Sequence, residues 1–363
     1  MPLLSEPSRI LLKEHTAEEL HRLLASCGVD ARLARRLQAA IIKHGASEIP
    51  ERMPDASRRV LARVREVASV PSLRVLEKAT SPTDGFTKYL FEGEGAEPFE
   101  AVRIPLMHRP HDRKYIVCVS SQVGCALGCV FCATGRMGFK RNLETWEIVD
   151  QIMRVQADSD LPVRGVVFMG MGEPLLNYDR VMKAAEILSE PCGGAIDAKA
   201  ITISTVGIVP MIRRFTAERR PYRLVISLTS ANSEVRRALL PIENRYPLAE
   251  LMSAVRNYQL ATGKRVTLAW TALSGVNTRP EDARQLAELT AGMRMRLDLI
   301  DVMDTSGQYH APDAAELDAF RDALRSELGM PVARRYSGGR DIHGGCGMLA
   351  GKRVRAGEGL SWA

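Results

Sequence analysis

The sequence is poor in cysteine and aromatic residues and contains no long apolar run. Its 363 residues include seven cysteines, an odd number that argues against a complete disulfide framework. It has no run of about eighteen apolar residues, so no membrane-spanning helix is expected, and its first residues lack the apolar segment of a secretory signal. Repeats and low-complexity segments are also absent. These absences predict a cytoplasmic globular protein with reduced thiols and no membrane partner.

The chain is basic, with 50 Lys and Arg against 43 Asp and Glu and a net charge of +7. Two explanations stay open: an incidentally basic surface, or a polyanionic partner such as nucleic acid. Basic residues concentrate in three short segments, which are Arg213, Arg214, Arg219, Arg220 and Arg223; Arg334, Arg335 and Arg340; and Lys352, Arg353 and Arg355.

Residue patterns divide the chain into three parts. Residues 1–95 are predicted to form a small, mostly helical accessory domain, in which Thr16 and Glu19 have the spacing of a capping box. Its helices carry basic faces, which suit either nucleic-acid binding or simple solvation. Residues 96–350 are predicted to form the catalytic domain, and residues 351–363 a basic tail.

Short apolar runs alternate with helical patterns in the larger part, which indicates an α/β fold with a parallel sheet covered by helices. About six such units predict a complete or partial barrel, where chemistry occurs at the carboxyl ends of strands. The predicted strands are 115–119, 165–169, 200–204, 223–228, 265–270, 297–302 and 332–336. The predicted helices are 143–157, 178–189, 209–218, 247–261, 280–292 and 313–328.

Three cysteines follow the first of these strands at the spacing C-x-x-x-C-x-x-C, namely Cys125, Cys129 and Cys132. Thiolates bind soft metals. Structural zinc usually takes four ligands, often as two close pairs, and no second pair is present. The triplet therefore favours a 4Fe–4S cluster in which one iron remains open to a substrate or cofactor.

An aromatic residue, Phe131, precedes the last cysteine, and the loop resembles that of the radical S-adenosylmethionine (radical SAM) superfamily. Four longer segments resemble the RlmN/Cfr family of radical SAM RNA adenine methyltransferases, and the similarity runs from about Glu100 to Ala350. They are SSQVGCALGCVFCATG (120–135), GFKRNL (138–143), GMGEPLLN (170–177) and DIHGGCGMLAG (341–351).

The resemblance implies a partial (β/α)6-type radical SAM barrel, a 4Fe–4S cluster and SAM as cofactors. It also implies an RNA substrate, which is 23S rRNA, tRNA or both, and an electron donor such as flavodoxin or ferredoxin. A monomer is expected. By position in the family motifs, the cluster ligands are Cys125, Cys129 and Cys132, and the SAM contacts are Gly172, Glu173, Ser204, Ser227, Leu228, Thr229 and Met303.

The same resemblance implies three catalytic residues. Cys346 carries a methyl group as S-methylcysteine, Cys118 releases the product by forming a disulfide with it, and Glu100 removes the ring proton. The reaction would consume two SAM molecules and methylate an adenine ring carbon, with carbon 2 as the expected position. Without the resemblance, both cysteines could be small buried hydrophobic residues.

Two other functions are compatible with the motifs. One is the same chemistry on a different RNA position or on a non-RNA substrate. The other is a non-enzymatic iron–sulfur or zinc protein that binds nucleic acid, although this leaves Cys118, Glu173 and Cys346 unexplained.

The chain departs from the family pattern at three places. Thr229 stands where the family usually has histidine, Met303 where it usually has asparagine, and Gly345 where alanine usually precedes the late cysteine. These departures predict a divergent member.

Overall fold

The computed structural model describes residues 9–107 and 113–351, so the predicted basic tail from Lys352 onward lies outside the described residues. The strands are β1 (Ile10–Leu11), β2 (Ala68–Ser69), β3 (Arg74–Thr80), β4 (Thr87–Glu92), β5 (Phe99–Leu106), β6 (Lys114–Cys118), β7 (Gln122–Val123), β8 (Arg141–Asn142), β9 (Val163–Phe168), β10 (Ile201–Thr205), β11 (Arg223–Ser227), β12 (Val266–Ala272), β13 (Met295–Asp301) and β14 (Ala333–Arg335).

The α-helices lie mainly between successive strands. They are α1 (Ala17–Leu23), α2 (Ala31–Gln38), α3 (Arg58–Val67), α4 (Ala133–Arg136), α5 (Thr145–Ala157), α6 (Tyr178–Ser189), α7 (Val209–Ala217), α8 (Ser233–Leu239), α9 (Leu248–Thr262), α10 (Pro280–Leu289) and α11 (Ala314–Leu328). Short 3-10 helices occur at Leu12–Glu14, Ala25–Cys27, Pro174–Asn177, Ala198–Ala200 and Pro241–Asn244, and a π-helix at Ala39–Lys43. In the described ranges, no helix is both long and apolar enough to span a membrane.

One ten-stranded sheet, in the order β14-β13-β12-β11-β10-β9-β6-β5-β4-β3, organises the larger part of the chain. Strands β6 and β9 to β14 pair in parallel, and β3, β4 and β5 extend the sheet antiparallel from β6. Helical crossovers separate the parallel strands, as parallel pairing requires. Within the described ranges β14 and β3 are the free edges. The predicted α/β fold with a partial barrel is confirmed.

The inner face of the sheet has its own apolar layer. Val225, Ala269 and Ile300 pack together with Met169, apart from the main core. The alternate residues of the same strands, such as Leu224 and Leu268, belong to the main core beneath the helices. This alternation follows from the two-residue period of a strand. The ends of the strands on the inner face are available for polar residues.

The prediction of a mostly helical segment over residues 1–95 is wrong for its last part. Helices α1, α2 and α3 are present, and Thr16 and Glu19 form the predicted capping box. Strands β3 and β4, however, replace the expected helical structure and join the main sheet. The β-branched and aromatic residues of β4, which is buried along most of its length, favour a pleated strand. A domain boundary at residue 95 stays a prediction, although it would separate two hydrogen-bonded strands.

A buried ion pair fixes the helices beside the carboxyl ends of the strands. Arg236 and Glu243 are both fully buried and form a salt bridge. Arg236 also donates to the carbonyl oxygen of Val206 at 2.6 Å, and Glu243 accepts from the amide of Leu248 at 2.8 Å. The pair therefore joins α8, α9 and the loop after β10.

We predict that Glu243→Gln lowers the free energy of unfolding by about 3–5 kcal/mol, because it leaves the buried Arg236 guanidinium without its counter-charge. Urea unfolding of the cluster-free protein, followed by circular dichroism, measures this change. Glu281→Gln is the matched control, since Glu281 forms an exposed pair with Arg284 and its loss should change stability by only about 0–1 kcal/mol. Equal effects of the two substitutions would contradict the prediction.

Candidate functional site

A cleft with about 1010 Å³ of open space lies at the carboxyl ends of the parallel strands. It brings together ten of the thirteen predicted site residues, and leaves out Cys118, Leu228 and Glu100. The cleft is the location that a barrel of parallel strands predicts for chemistry. The ten lining residues are Cys125, Cys129, Cys132, Gly172, Glu173, Ser204, Ser227, Thr229, Met303 and Cys346.

The loop with three cysteines begins at a turn that requires glycine. Gly124 has a φ of 70°, and a side chain there would place its Cβ 1.8 Å from the carbonyl oxygen of Gly138. Burial raises the pKa of the Cys125 thiol to about 12 and also raises that of Cys129, and the neighbouring cysteines add to both shifts. A metal centre bound here must therefore displace the thiol protons, as thiolate ligation does elsewhere.

Glu173 presents a buried carboxylate to the same cleft. Gly172, which precedes it, has a φ of 95°, and a Cβ there would lie 2.5 Å from the Cβ of Gln122. The Glu173 carboxylate accepts from the amides of Leu175 and Val206, each at 3.0 Å. Burial raises the pKa of Glu173 to about 7. A cation such as an ammonium group would favour its charged form.

Three hydroxyl groups stand at the next two strand ends. The Ser204 and Ser227 hydroxyl oxygens are 3.3 Å apart. Thr229 has an unusual φ of 62°, and its buried Oγ1 has no hydrogen-bond partner among the described residues. A buried hydroxyl without a hydrogen-bond partner is unfavourable unless a ligand supplies the partner. Leu228, by contrast, packs in the main core, so only its backbone could contact a ligand.

The loop that carries Cys346 packs directly on the loop with three cysteines. The amide of Ala133 donates to the carbonyl oxygen of Gly347 at 2.7 Å, and the Thr134 hydroxyl donates to that of Leu349 at 2.6 Å. The amide of Cys346 donates to the Ser337 hydroxyl at 3.1 Å. Cys346 is thus held at the edge of the cleft.

Cys118 lies at the end of β6 and is almost completely buried. Burial raises its pKa to about 12; the nearby Cys346 adds to the shift, and Arg335 opposes it. The two cysteines predicted to react with each other are therefore electrostatic neighbours. All seven cysteines are free thiols, so the predicted disulfide is not formed in this structure.

Glu100 has contacts that the sequence did not predict. Its carboxylate is fully buried, lies 2.8 Å from the ammonium of Lys88, and accepts from the amides of Ala350 and Gly351 at 2.8 and 2.9 Å. Glu100 therefore anchors the Cys346 loop to β5. Its role as a proton acceptor stays a prediction and would require the carboxylate to leave some of these partners.

A second anchor comes from the turn between β3 and β4. The Asp84 carboxylate accepts from the amide of Gly339 at 2.8 Å and from the Tyr336 hydroxyl at 3.0 Å. These positions are more than 250 residues apart in the sequence, so no local pattern could have indicated the contact. Asp84, Lys88 and Ser337 are the positioning residues that sequence reasoning missed.

Two of the departures from the family pattern touch each other. Met303 is buried against the Cys346 loop, and a Cβ at Gly345 would lie 2.1 Å from its sulfur and 3.2 Å from that of Met348. The methionine therefore occupies the space that an alanine side chain would need. Glycine at position 345 leaves this space to the Met303 side chain.

We predict that Gly345→Ala displaces the flexible Met303 side chain and lowers the free energy of unfolding by about 1 kcal/mol, the low end of the cost of overpacking. In the double variant with Met303→Ala, the loss should be smaller than the sum of the two single losses by about 0.5–3 kcal/mol. Thermal unfolding of the four cluster-free proteins measures the coupling. Strictly additive losses would show that the two residues do not interact.

Comparison with known proteins agrees with this geometry. Residues 119–289 match the Radical SAM superfamily. A probable RNA methyltransferase of Myxococcus xanthus is 48% identical over 341 residues, 93% of this chain and 94% of that protein. The dual-specificity RNA methyltransferase RlmN of Syntrophobacter fumaroxidans is 39% identical and covers 94% of this chain and 98% of its own length.

A solved structure shares the fold over nearly the whole chain. It is a radical SAM methyltransferase from Sphaerobacter thermophilus, with a TM-score of 0.86 and 33% identity, and covers 94% of this chain and 100% of its own. The cofactors of the superfamily are a 4Fe–4S cluster and SAM. The residues of the cleft fit them, since three thiols, a buried carboxylate and an unpartnered hydroxyl line it. The chain belongs to the RlmN/Cfr family of radical SAM RNA methyltransferases that its motifs resemble.

Proposed function

We propose that this enzyme methylates a ring carbon of adenine in RNA, most readily carbon 2 of an adenine in 23S rRNA or tRNA. The observation that carries the proposal is that Cys346 lines the cleft with the three-cysteine loop and lies close enough to the buried Cys118 to act on its ionisation. A methyltransferase acting by direct displacement would need neither cysteine. The names of the relatives support RNA as the substrate class.

The cofactors, when bound, supply a methyl group from one SAM molecule and a hydrogen-abstracting radical from a second. Cys125, Cys129 and Cys132 would hold the cluster. Glu173 would accept hydrogen bonds from the ammonium group of SAM. The remaining proposed SAM contacts are Gly172, Ser204, Ser227, Met303, the hydroxyl of Thr229 and the backbone of Leu228.

The chain's own residues would carry the methyl group and release the product. Cys346 takes the methyl group on its sulfur as S-methylcysteine, and this group, after losing one hydrogen atom, bonds through its carbon to the adenine carbon. The linked adduct then gives up one electron, which returns to the cofactor. Glu100 accepts the ring proton. The Cys118 thiolate then attacks the Cys346 sulfur, forming an S–S bond, while the electrons of the sulfur–carbon bond pass to the departing carbon, which takes up a proton to complete the methyl group. The disulfide must afterwards be reduced, which a reducing cytoplasm supports.

The partners of this reaction are part of the proposal. RNA is the substrate, flavodoxin or ferredoxin is the electron donor, and the chain acts as a monomer. The net charge of +7 is compatible with both an RNA substrate and an acidic electron donor.

The test is anaerobic reconstitution of the cluster, followed by incubation with SAM, a reductant and separate rRNA and tRNA pools. Mass spectrometry of the digested nucleosides should show a new methyladenosine, whose retention distinguishes carbon 2 from carbon 8. Cys346→Ala should give no product, and Cys118→Ala should trap RNA on the protein. Cys192→Ala should remain active, since Cys192 contacts Gln38 and lies outside the cleft.

Two outcomes would change the conclusion. Methylated adenosine from Cys346→Ala would exclude the S-methylcysteine route. Cleavage of SAM without methylation of either pool would instead favour another substrate. The departures at Thr229, Met303 and Gly345 would then mark the change of substrate.

We also predict that Thr229→Val weakens SAM binding roughly fivefold, as expected for one lost hydrogen bond of about 1 kcal/mol, without lowering stability. Because the Thr229 Oγ1 has no hydrogen-bond partner in the part of the chain that the structure describes, removing it breaks no bond that stabilises the fold. Isothermal titration with SAM and thermal unfolding measure the two effects. Thr290→Val is the control, because the Thr290 hydroxyl donates to Leu286 at 2.7 Å: it should lower stability and leave SAM affinity unchanged. Unchanged SAM affinity in Thr229→Val would contradict the prediction.

A further inference from the structure

Arg335, the last residue of β14, places a positive charge on the inner face of the sheet. It pairs in register with Ile300 of β13, and Ile300 belongs to the inner apolar layer. Residues paired across neighbouring strands point to the same face, so the Arg335 side chain points inward. Its guanidinium contacts the sulfur of Met169 at 3.0 Å. Met169 follows β9, which four strands separate from β14 in the sheet order, so the curvature of the sheet brings Arg335 across to the side of β6 and β9.

Cys118 reaches the same place from β6. Ile116, Val167 and Arg335 line one opening on the inner face. Cys118 is two residues beyond Ile116 and pairs in register with Val167, so its thiol points to the same face. The backbone of Met169 hydrogen-bonds to the Cys118 sulfur, while its side chain contacts the guanidinium. One residue therefore lies against both the thiol and the cation.

The charge of Arg335 is not neutralised by a carboxylate of residues 9–107 or 113–351. Of the acids on the neighbouring strand, Asp298 pairs with Arg296 at 2.6 Å and Asp301 pairs with Arg334 at 2.7 Å. The thioether sulfur that Arg335 contacts is only a weak acceptor. The other charged side chains that line the same opening are basic, namely Lys114, which has a partner of its own, Arg164 and Arg223.

Cys118 needs such a cation to react as a nucleophile. Only the thiolate form attacks a sulfur atom, whereas burial raises the pKa of the Cys118 thiol to about 12 and Cys346 raises it further. Among the charged groups of the described chain, Arg335 opposes this shift and no carboxylate adds to it. A nearby positive charge favours the charged form of an acidic group.

We propose that the Arg335 guanidinium stabilises the Cys118 thiolate in the step that releases the product. The inference rests on the proposed function and adds the group that activates its second cysteine. The thiol proton passes to solvent, and the thiolate forms beside a guanidinium that stays protonated throughout. When the S–S bond to Cys346 has formed, the Cys118 sulfur is uncharged again.

The test reproduces the attack of Cys118 on the Cys346 sulfur without RNA or SAM. Oxidised glutathione, added anaerobically to the reconstituted enzyme, forms a mixed disulfide on the partly exposed Cys346 and releases one glutathione. The Cys118 thiolate then displaces the second glutathione and forms the Cys118–Cys346 disulfide. Mass spectrometry of peptides from acid-quenched samples follows both species over a pH series. Arg335→Gln and Arg335→Lys are compared with Arg325→Gln, since Arg325 is exposed on α11 and pairs with Asp322 at 3.2 Å.

Arg335→Gln should form the mixed disulfide at the rate of the control and convert it about three- to tenfold more slowly, with its plot of log rate against pH displaced to higher pH. The loss of rate is smaller than the loss of thiolate, because a more basic thiolate is also a better nucleophile. Arg335→Lys keeps the charge and should recover part of the rate. Equal conversion in Arg335→Gln and Arg325→Gln would overturn the proposal. So would equal slowing in Arg335→Gln and Arg335→Lys, which would indicate packing and not charge.

The exchange needs neither RNA nor SAM, so its result is independent of the proposed function. Slower conversion in Arg335→Gln supports the inference even if the unaltered enzyme methylates neither RNA pool. In the methylation assay, the same variant should accumulate the RNA adduct that Cys118→Ala traps, and should release it faster as the pH rises. Release of methylated RNA by Arg335→Gln at the rate of the control would overturn the inference and leave the methyltransferase function standing.

Discussion

The site depends on one contact between two loops that lie more than 200 residues apart in the chain. The start of α4, directly after the last cysteine of the triplet, donates hydrogen bonds to the backbone carbonyls of Gly347 and Leu349. Through this contact Cys346 lies at the edge of the cleft. The sheet and its helices hold the two loops in this arrangement.

The antiparallel strands help to hold this arrangement. They contact the Cys346 loop from its other side, through Glu100 on β5 and through Asp84 in the turn between β3 and β4. Both carboxylates accept from backbone amides and not only from side chains, so they fix the path of the main chain. A loop held at both ends in this way limits the entropy that must be lost when a substrate arrives.

The sequence allowed the parallel part of the fold and most of the cleft to be predicted. Apolar runs such as that of β9 are long and flanked by clear turns, and the cysteine spacing is specific enough to indicate its ligand. Strands β3 and β4 were missed because they follow three true helices and because β3 is partly exposed and has no apolar run. The partners of Glu100 and Asp84 could not be predicted, since they come from residues about 250 positions away.

The fit between Gly345 and Met303 bears on the history of this branch. With the family's usual asparagine and alanine as the starting pair, a change to methionine first would have brought its sulfur against the alanine methyl group. A change to glycine first removes only a methyl group, and the longer side chain can then enter. On this contact alone, the change to glycine is the easier first step. A present-day relative that carries glycine with asparagine would represent the intermediate, whereas one with alanine and methionine should be rare.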